Sequence, residues 1–256
     1  MRYKQLGIGV VTILLSLHQV ALAQDEVTTK IEIHNDEVAP AKEGTFTGEG
    51  ELGITNTSGN TENQNVIARL GLEYHKFSWI HKANLEVLRS ETQSEITAER
   101  YEALLQSDYF LSQLDYLFTK LRYENDRFTG YDHQGVLAVG YGRKLINTDN
   151  RRLRLTGAVG IKQSQLETSD DVERGGVAIL GLEYNHKIEP YSEFFQTFRV
   201  EIGSDNTYGK SESGFKANIM ENLALKLSLS ITHNTDVPLD IKNTDTISAV
   251  TLVYGF

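Results

Sequence analysis

Residues 223–232 read Leu-Ala-Leu-Lys-Leu-Ser-Leu-Ser-Ile-Thr. Leu223, Leu225, Leu227, Leu229 and Ile231 occupy one parity, and Lys226, Ser228, Ser230 and Thr232 the other. Successive side chains of a strand point to opposite faces, so this stretch has one apolar and one polar face. The same scheme recurs outward along the chain. Val66, Ala68, Leu70, Leu72 and Tyr74 oppose Asn65, Arg69 and Glu73. Leu153, Leu155, Val159 and Ile161 oppose Arg152, Arg154, Thr156 and Lys162. Twelve such segments can be marked, at about 45–55, 64–75, 79–89, 98–109, 115–124, 134–146, 152–163, 174–186, 191–202, 212–220, 223–233 and 244–256.

Most of these have the roughly 9–11 residues that a tilted strand needs to cross a bilayer. Twelve is an even number, as closed single-chain bacterial barrels require. The connections alternate as well. His75–Ser78, Phe110–Leu114, Asn147–Asn150, Lys187–Pro190 and Met220–Asn222 are short, whereas Asn56–Asn63, Ser90–Thr97, Glu124–Asp132, Leu166–Glu173, Gly203–Glu212 and Asn234–Asn243 are longer and polar. The pattern predicts an all-β, antiparallel transmembrane β-barrel with short periplasmic turns and longer extracellular loops. Tyr74, Trp79, Tyr109, Tyr116, Tyr184, Tyr191 and Tyr254 fall beside the short turns or at the chain end, where an interfacial aromatic girdle belongs.

Composition narrows the function. The chain has 256 residues, no cysteine, 39 % hydrophobic residues and a formal net charge of -10. Zero cysteine excludes zinc ribbons, disulfide scaffolds and thiol enzymes. The acidic balance leaves no basic footprint for nucleic acid. A mean hydropathy of -0.34 argues against membrane helices but not against a barrel, which spends apolar residues only at every second position.

The N-terminus is expected to be an address. Arg2 and Lys4 precede an apolar run from Leu6 to Leu17, and Ala21-Leu22-Ala23 supplies a cleavage site, so residues 1–23 read as a signal peptide. Residues 24–44 carry six acids and Pro40 without a lasting hydrophobic face, and read as an acidic, solvated periplasmic tail. Residues 45–256 form the barrel.

The chain ends Leu252-Val253-Tyr254-Gly255-Phe256, with Leu252, Tyr254 and Phe256 on one parity. This resembles the C-terminal assembly signal of outer-membrane barrels, and it implies the barrel-assembly machinery as a partner during biogenesis. In the fifth segment, Arg122-Tyr123-Glu124-Asn125-Asp126-Arg127-Phe128 resembles the central block of the salt-induced outer-membrane protein family, the YdiY-like barrels. Arg122, Tyr123, Glu124, Asp126, Arg127 and Phe128 carry that likeness. The opening strand from Thr45 with Asn56-Thr57-Ser58-Gly59-Asn60-Thr61 is similar to that family's first hairpin. The resemblance implies an outer-membrane barrel of a Gram-negative cell in contact with outer-membrane lipids and lipopolysaccharide, with an association with salt or osmotic stress. It supplies no catalytic residues and no cofactor.

With the polar parity turned inward, the lumen holds Arg69, Glu73, Arg100, Glu102, Arg122, Arg152, Arg154 and Glu183 among similar numbers of cations and anions. Balanced charge predicts cross-strand ion pairs in a narrow interior; a ring of one sign would have suggested an ion-selective pore. The outer-membrane phospholipase uses a His and a Ser two apart on one strand, and no His-x-Ser or Ser-x-His occurs after residue 23. Asp170, Asp171 and Glu173 crowd one loop and are weak candidates for a divalent cation, though acidic loops are ordinarily just solvated. The expectation is therefore a barrel without enzymatic activity, structural or weakly conducting. A lipid-acting barrel enzyme and a secreted soluble barrel with an apolar cavity stand as the alternatives.

Overall fold

The computed structural model describes residues 44–58, 63–92, 95–126, 131–166, 172–189, 191–204, 206–237 and 242–256. The expected signal peptide and nearly all of the acidic tail lie outside the described residues. So do Asp170 and Asp171, Arg127 and Phe128, and Gly59 to Thr61 of the first hairpin.

Twelve strands follow one another: β1 Thr45–Ser58, β2 Asn63–Lys76, β3 Trp79–Thr92, β4 Glu95–Phe110, β5 Asp115–Asp126, β6 Tyr131–Asn147, β7 Arg151–Leu166, β8 Val172–Glu189, β9 Ser192–Gly203, β10 Thr207–Met220, β11 Leu223–Asn234 and β12 Thr244–Gly255. Each pairs antiparallel with its chain neighbours, and β1 pairs with β12, so the sheet closes into a barrel with no free edge. The closing seam ends in a reciprocal pair. Gly48 N–H donates to the Phe256 carbonyl at 2.8 Å, and Phe256 N–H donates to the Gly48 carbonyl at 2.8 Å. The Phe256 ring lies where a Cβ on residue 48 would stand, so glycine there seats the terminal aromatic against the seam.

The strands are longer than the alternation predicted. β10 starts at Thr207, within the polar stretch read as a loop from Gly203 to Glu212. Its outward positions Thr207, Gly209, Ser211 and Ser213 carry no apolar side chain, so no hydrophobic period marked them. Elsewhere, too, the hairpins opposite the short turns absorb most of the polar connections into pairing. β3 runs to Thr92 and β4 begins at Glu95. β11 ends at Asn234 and β12 begins at Thr244, and the described residues between them, 235–237 and 242–243, lie outside strands.

The exterior is apolar. Leu52, Leu105, Leu121, Val139, Leu180, Phe198, Leu227, Val250 and Leu252 are all exposed outward, and Val159 and Ile161 are each 65 % exposed. In water such a surface would be an aggregation site; in hydrocarbon it is solvated. One polar interruption, on β9 and β10, satisfies itself. Gln196 Nε2 donates to Ser211 Oγ at 3.0 Å and to the Thr197 carbonyl at 2.8 Å, while Ser213 Oγ donates to Gln196 Oε1. Unpaired polar groups in hydrocarbon cost several kcal/mol, so this closure matters.

Near the short turns, Trp79 packs on Tyr109 with centroids 4.9 Å apart and stacks on His81 at 5.8 Å; Tyr191 and Tyr254 stand exposed in the same zone. Tyr116 departs from the expected girdle: it is 1 % exposed and faces the lumen. Its neighbours Phe118, Lys120, Arg122 and Glu124 share its parity, and the period of two outweighs its place beside a turn. The inward rings of Tyr116 and Phe118 occupy the space above Gly142 and Gly140 on β6, where any Cβ would overlap them.

Candidate functional site

The inward faces of the strands make one continuous polar site, the barrel lumen. Register alone builds part of it. Glu51, Arg69 and Glu86 are successive cross-strand partners on β1, β2 and β3. Arg69 donates to Glu51 at 2.9 Å and also to Glu86. Glu73 on β2 faces Lys82 on β3 at 3.5 Å, and Arg154 on β7 faces Glu183 on β8 at 3.2 Å. Directly opposed charges of this kind are the units that stabilise a sheet face.

Other contacts cross the interior between strands that are not neighbours. Arg122 on β5 donates to Glu201 on β9 at 2.8 Å and to Glu124 on its own strand at 2.6 Å. Arg199 on β9 lies 3.5 Å from Glu201 and 4.0 Å from Glu102 on β4. Arg69 reaches Glu212 on β10 at 3.7 Å, and Lys210 on β10 reaches Glu86 on β3 at 4.0 Å. Lys226 on β11 binds Glu51 at 3.1 Å and Glu212 at 3.2 Å. The pairs between β5 and β9, β4 and β9, β2 and β10, and β3 and β10 form only where side chains from well-separated strands meet, so at these levels ion pairs span the interior. The side chains of Arg122, Glu124 and Glu201 are 2 %, 4 % and 3 % exposed, so this cluster is the most buried part of the network, while Arg199 and Glu102 beside it keep 19 % and 16 %. Tyr208 lies beside the network, with the Arg122 and Arg199 guanidiniums 5.9 and 5.3 Å from its ring centroid.

The named lumen residues therefore separate by partner. Arg69, Glu73, Arg154 and Glu183 pair with adjacent strands. Arg122 bridges the interior, Glu102 meets Arg199 across it, and Arg100 pairs with Glu86. Arg152 sits at the short-turn mouth on the inward parity of β7. The family block alternates as a strand must: Arg122, Glu124 and Asp126 point inward and are buried, while Tyr123 is 50 % exposed on the outside.

Two parts of the lumen were not read from sequence. Lys210 lies within the stretch expected to be a loop, and Glu212 at its boundary with the tenth segment. The middle inward positions of β6 and β8 are apolar, with Val136, Ala138, Val177 and Ile179 forming a buried cluster against which Ala158 packs. The runs Val136-Leu137-Ala138-Val139 and Val177-Ala178-Ile179-Leu180 are apolar at both parities and so carry no period of two. A continuous apolar run is the available signal for a strand buried on both faces.

The structure brings one hydroxyl to one imidazole on the exterior. His81 and Ser107 are cross-strand partners on β3 and β4, with Nδ1 and Oγ 2.9 Å apart. The imidazole stacks between Trp79 and Tyr74. Its flanking backbone positions belong to the ladder, and among the described residues no carboxylate is bonded to the ring. The pair serves as part of the girdle. Glu173, the describable member of the acidic-loop trio, lies on β8 opposite Ser164. Among the described residues no three His, Asp or Glu side chains converge to hold a metal.

A closed antiparallel barrel of twelve strands, apolar outside and ion-paired inside, defines the class of outer-membrane-type β-barrels. Solved barrels share the fold at low sequence identity. The NanC porin superposes with a TM-score of 0.55 at 9 % identity, over 80 % of this chain and 98 % of that one. The translocator domain of the autotransporter NalP from Neisseria meningitidis gives a TM-score of 0.53 at 11 % identity, over 85 % of this chain and 91 % of its own. The chain belongs to the family described as "Protein of unknown function, DUF481", which matches residues 50–256. The uncharacterized protein YdiY of Escherichia coli strain K12 is 27 % identical to it over 238 residues, 92 % of this chain and 91 % of YdiY.

Proposed function

We propose that this protein is an outer-membrane β-barrel of a Gram-negative envelope, structural or at most weakly conducting, and without enzymatic activity. The observation that carries the reading is the set of ion pairs spanning the lumen, headed by Arg122–Glu201 at 2.8 Å. An open pore needs a hydrated path with residues arranged by sign along it; here opposite signs meet and fill the section. The apolar exterior supports residence in a bilayer, and the paired aromatic zone near the short turns supports a fixed depth. In this reading the short turns face the periplasm, the longer hairpins face outward toward lipopolysaccharide, and the barrel-assembly machinery inserts the chain. An association with salt or osmotic stress is part of the proposal, resting on the resemblance of the Arg122–Phe128 block.

Cell fractionation with a heat-modifiability gel tests it. The expected result is a band in the outer-membrane fraction whose mobility changes on boiling. A soluble protein of unchanged mobility would overturn the reading. Purified protein should hydrolyse no phospholipid, and turnover abolished by His81→Ala or Ser107→Ala would replace it with the enzyme alternative.

A further inference from the structure

At the short-turn end of β6, β7 and β8 the exterior turns from apolar to polar, with basic side chains on all three strands. Arg151 and His186 are direct cross-strand partners on the outward face of β7 and β8, which puts their Cβ atoms about 5 Å apart. Among the described residues neither side chain meets a carboxylate. Arg143 stands on β6 with its side chain 54 % exposed, 3.5 Å from Asp115. Bilayerward of Arg151, the outward row of β7 continues as Leu153, Leu155, Gly157, Val159 and Ile161. Gly157 leaves a recess in that row: a Cβ there would touch only Leu180 Cδ2, at 3.9 Å. Beside the row, a bulge between Lys144 and Ile146 turns two consecutive apolar side chains outward, Leu145 at 52 % and Ile146 at 36 % exposure.

We infer that this face binds an anionic phospholipid of the leaflet adjoining the short turns. Arg151 and His186 hold the phosphodiester, and an acyl chain lies along β7 across Gly157. A guanidinium offers a fork of donors matched to phosphate oxygens, and an imidazole N–H adds one more. The apolar row that begins where the basic pair ends is what selects a lipid over free phosphate. The inference rests on the membrane reading above and adds a ligand to it.

The test uses the full-length chain folded into nanodiscs of phosphatidylcholine doped with phosphatidylglycerol. Native mass spectrometry then reads which lipid stays on the released barrel. Wild type should retain phosphatidylglycerol over phosphatidylcholine. Arg151→Gln/His186→Gln should lower that preference at least about fivefold, the factor equivalent to about 1 kcal/mol for one basic side chain near an anionic surface. Lys76→Gln, a cation at the same end of β2, should leave it unchanged. An undiminished preference in the double variant, an equal loss in Lys76→Gln, or full displacement by inorganic phosphate would each overturn the site while leaving an inserted barrel intact. A wild-type chain that inserts into no bilayer and shows no heat-modifiable band would instead overturn the membrane reading, and the site with it.

Discussion

Arg122→Leu removes the side chain at the centre of the lumen. Its guanidinium is buried and serves Glu124 at 2.6 Å and Glu201 at 2.8 Å, both of them nearly inaccessible. Breaking a buried pair by deleting one partner costs about 3–5 kcal/mol, because the remaining charge is stranded. Here Glu201 keeps Arg199 at 3.5 Å and Glu124 loses its ion pair with Arg122, so the expected loss is at the lower end, about 3 kcal/mol. Arg122→Leu/Glu124→Gln/Glu201→Gln removes the stranded charges together with the cation, and should recover most of that loss. The assay is reversible urea unfolding of the barrel in lipid vesicles, followed by the heat-modifiable band. An Arg122→Leu midpoint within about 0.5 kcal/mol of wild type, the range of an ordinary surface substitution, would refute the tightly packed network. A triple variant no more stable than the single one would refute the stranded-charge account of its cost.

Other substitutions test the faces and the seam. Leu227→Arg places a charge in the outward apolar belt and should cost about 2–4 kcal/mol in the same unfolding assay, whereas equal stability would mean that this face does not meet lipid. Deleting Phe256, or changing Tyr254 and Phe256 to Ser, removes the ring seated on Gly48 and should reduce the heat-modifiable fraction in cells; normal insertion would refute the assembly role. Gly142→Ala pushes a methyl group into the Tyr116 ring and should destabilise by about 1–3 kcal/mol, with Tyr116→Ala restoring part of the loss in the double variant.

The barrel was legible because nearly every strand carries an outward apolar residue at each second position, as Leu223 to Ile231 show most plainly. Where that marker fails, the sequence misleads. The outward positions at the start of β10, Thr207, Gly209, Ser211 and Ser213, carry no apolar side chain, so no period marks Lys210 as a strand residue; residues 136–139 and 177–180 are apolar at both parities, which hides the Val136–Ile179 cluster. Tyr116 shows parity overruling position along the strand. In the lumen, charges that share a ladder, such as Arg154 and Glu183, could be matched from strand order alone. The partners of Arg122 and Arg199 could not, since contacts between β5, β4 and β9 depend on barrel diameter and stagger.

Single-channel recording in a planar bilayer tests the closed lumen most directly. Wild-type barrel should show at most small, intermittent conductance, and Arg122→Leu/Arg199→Leu, which removes two of the guanidiniums that span the section, should raise it. A large, steady open level in the wild type, unchanged by that variant, would contradict an interior closed by ion pairs.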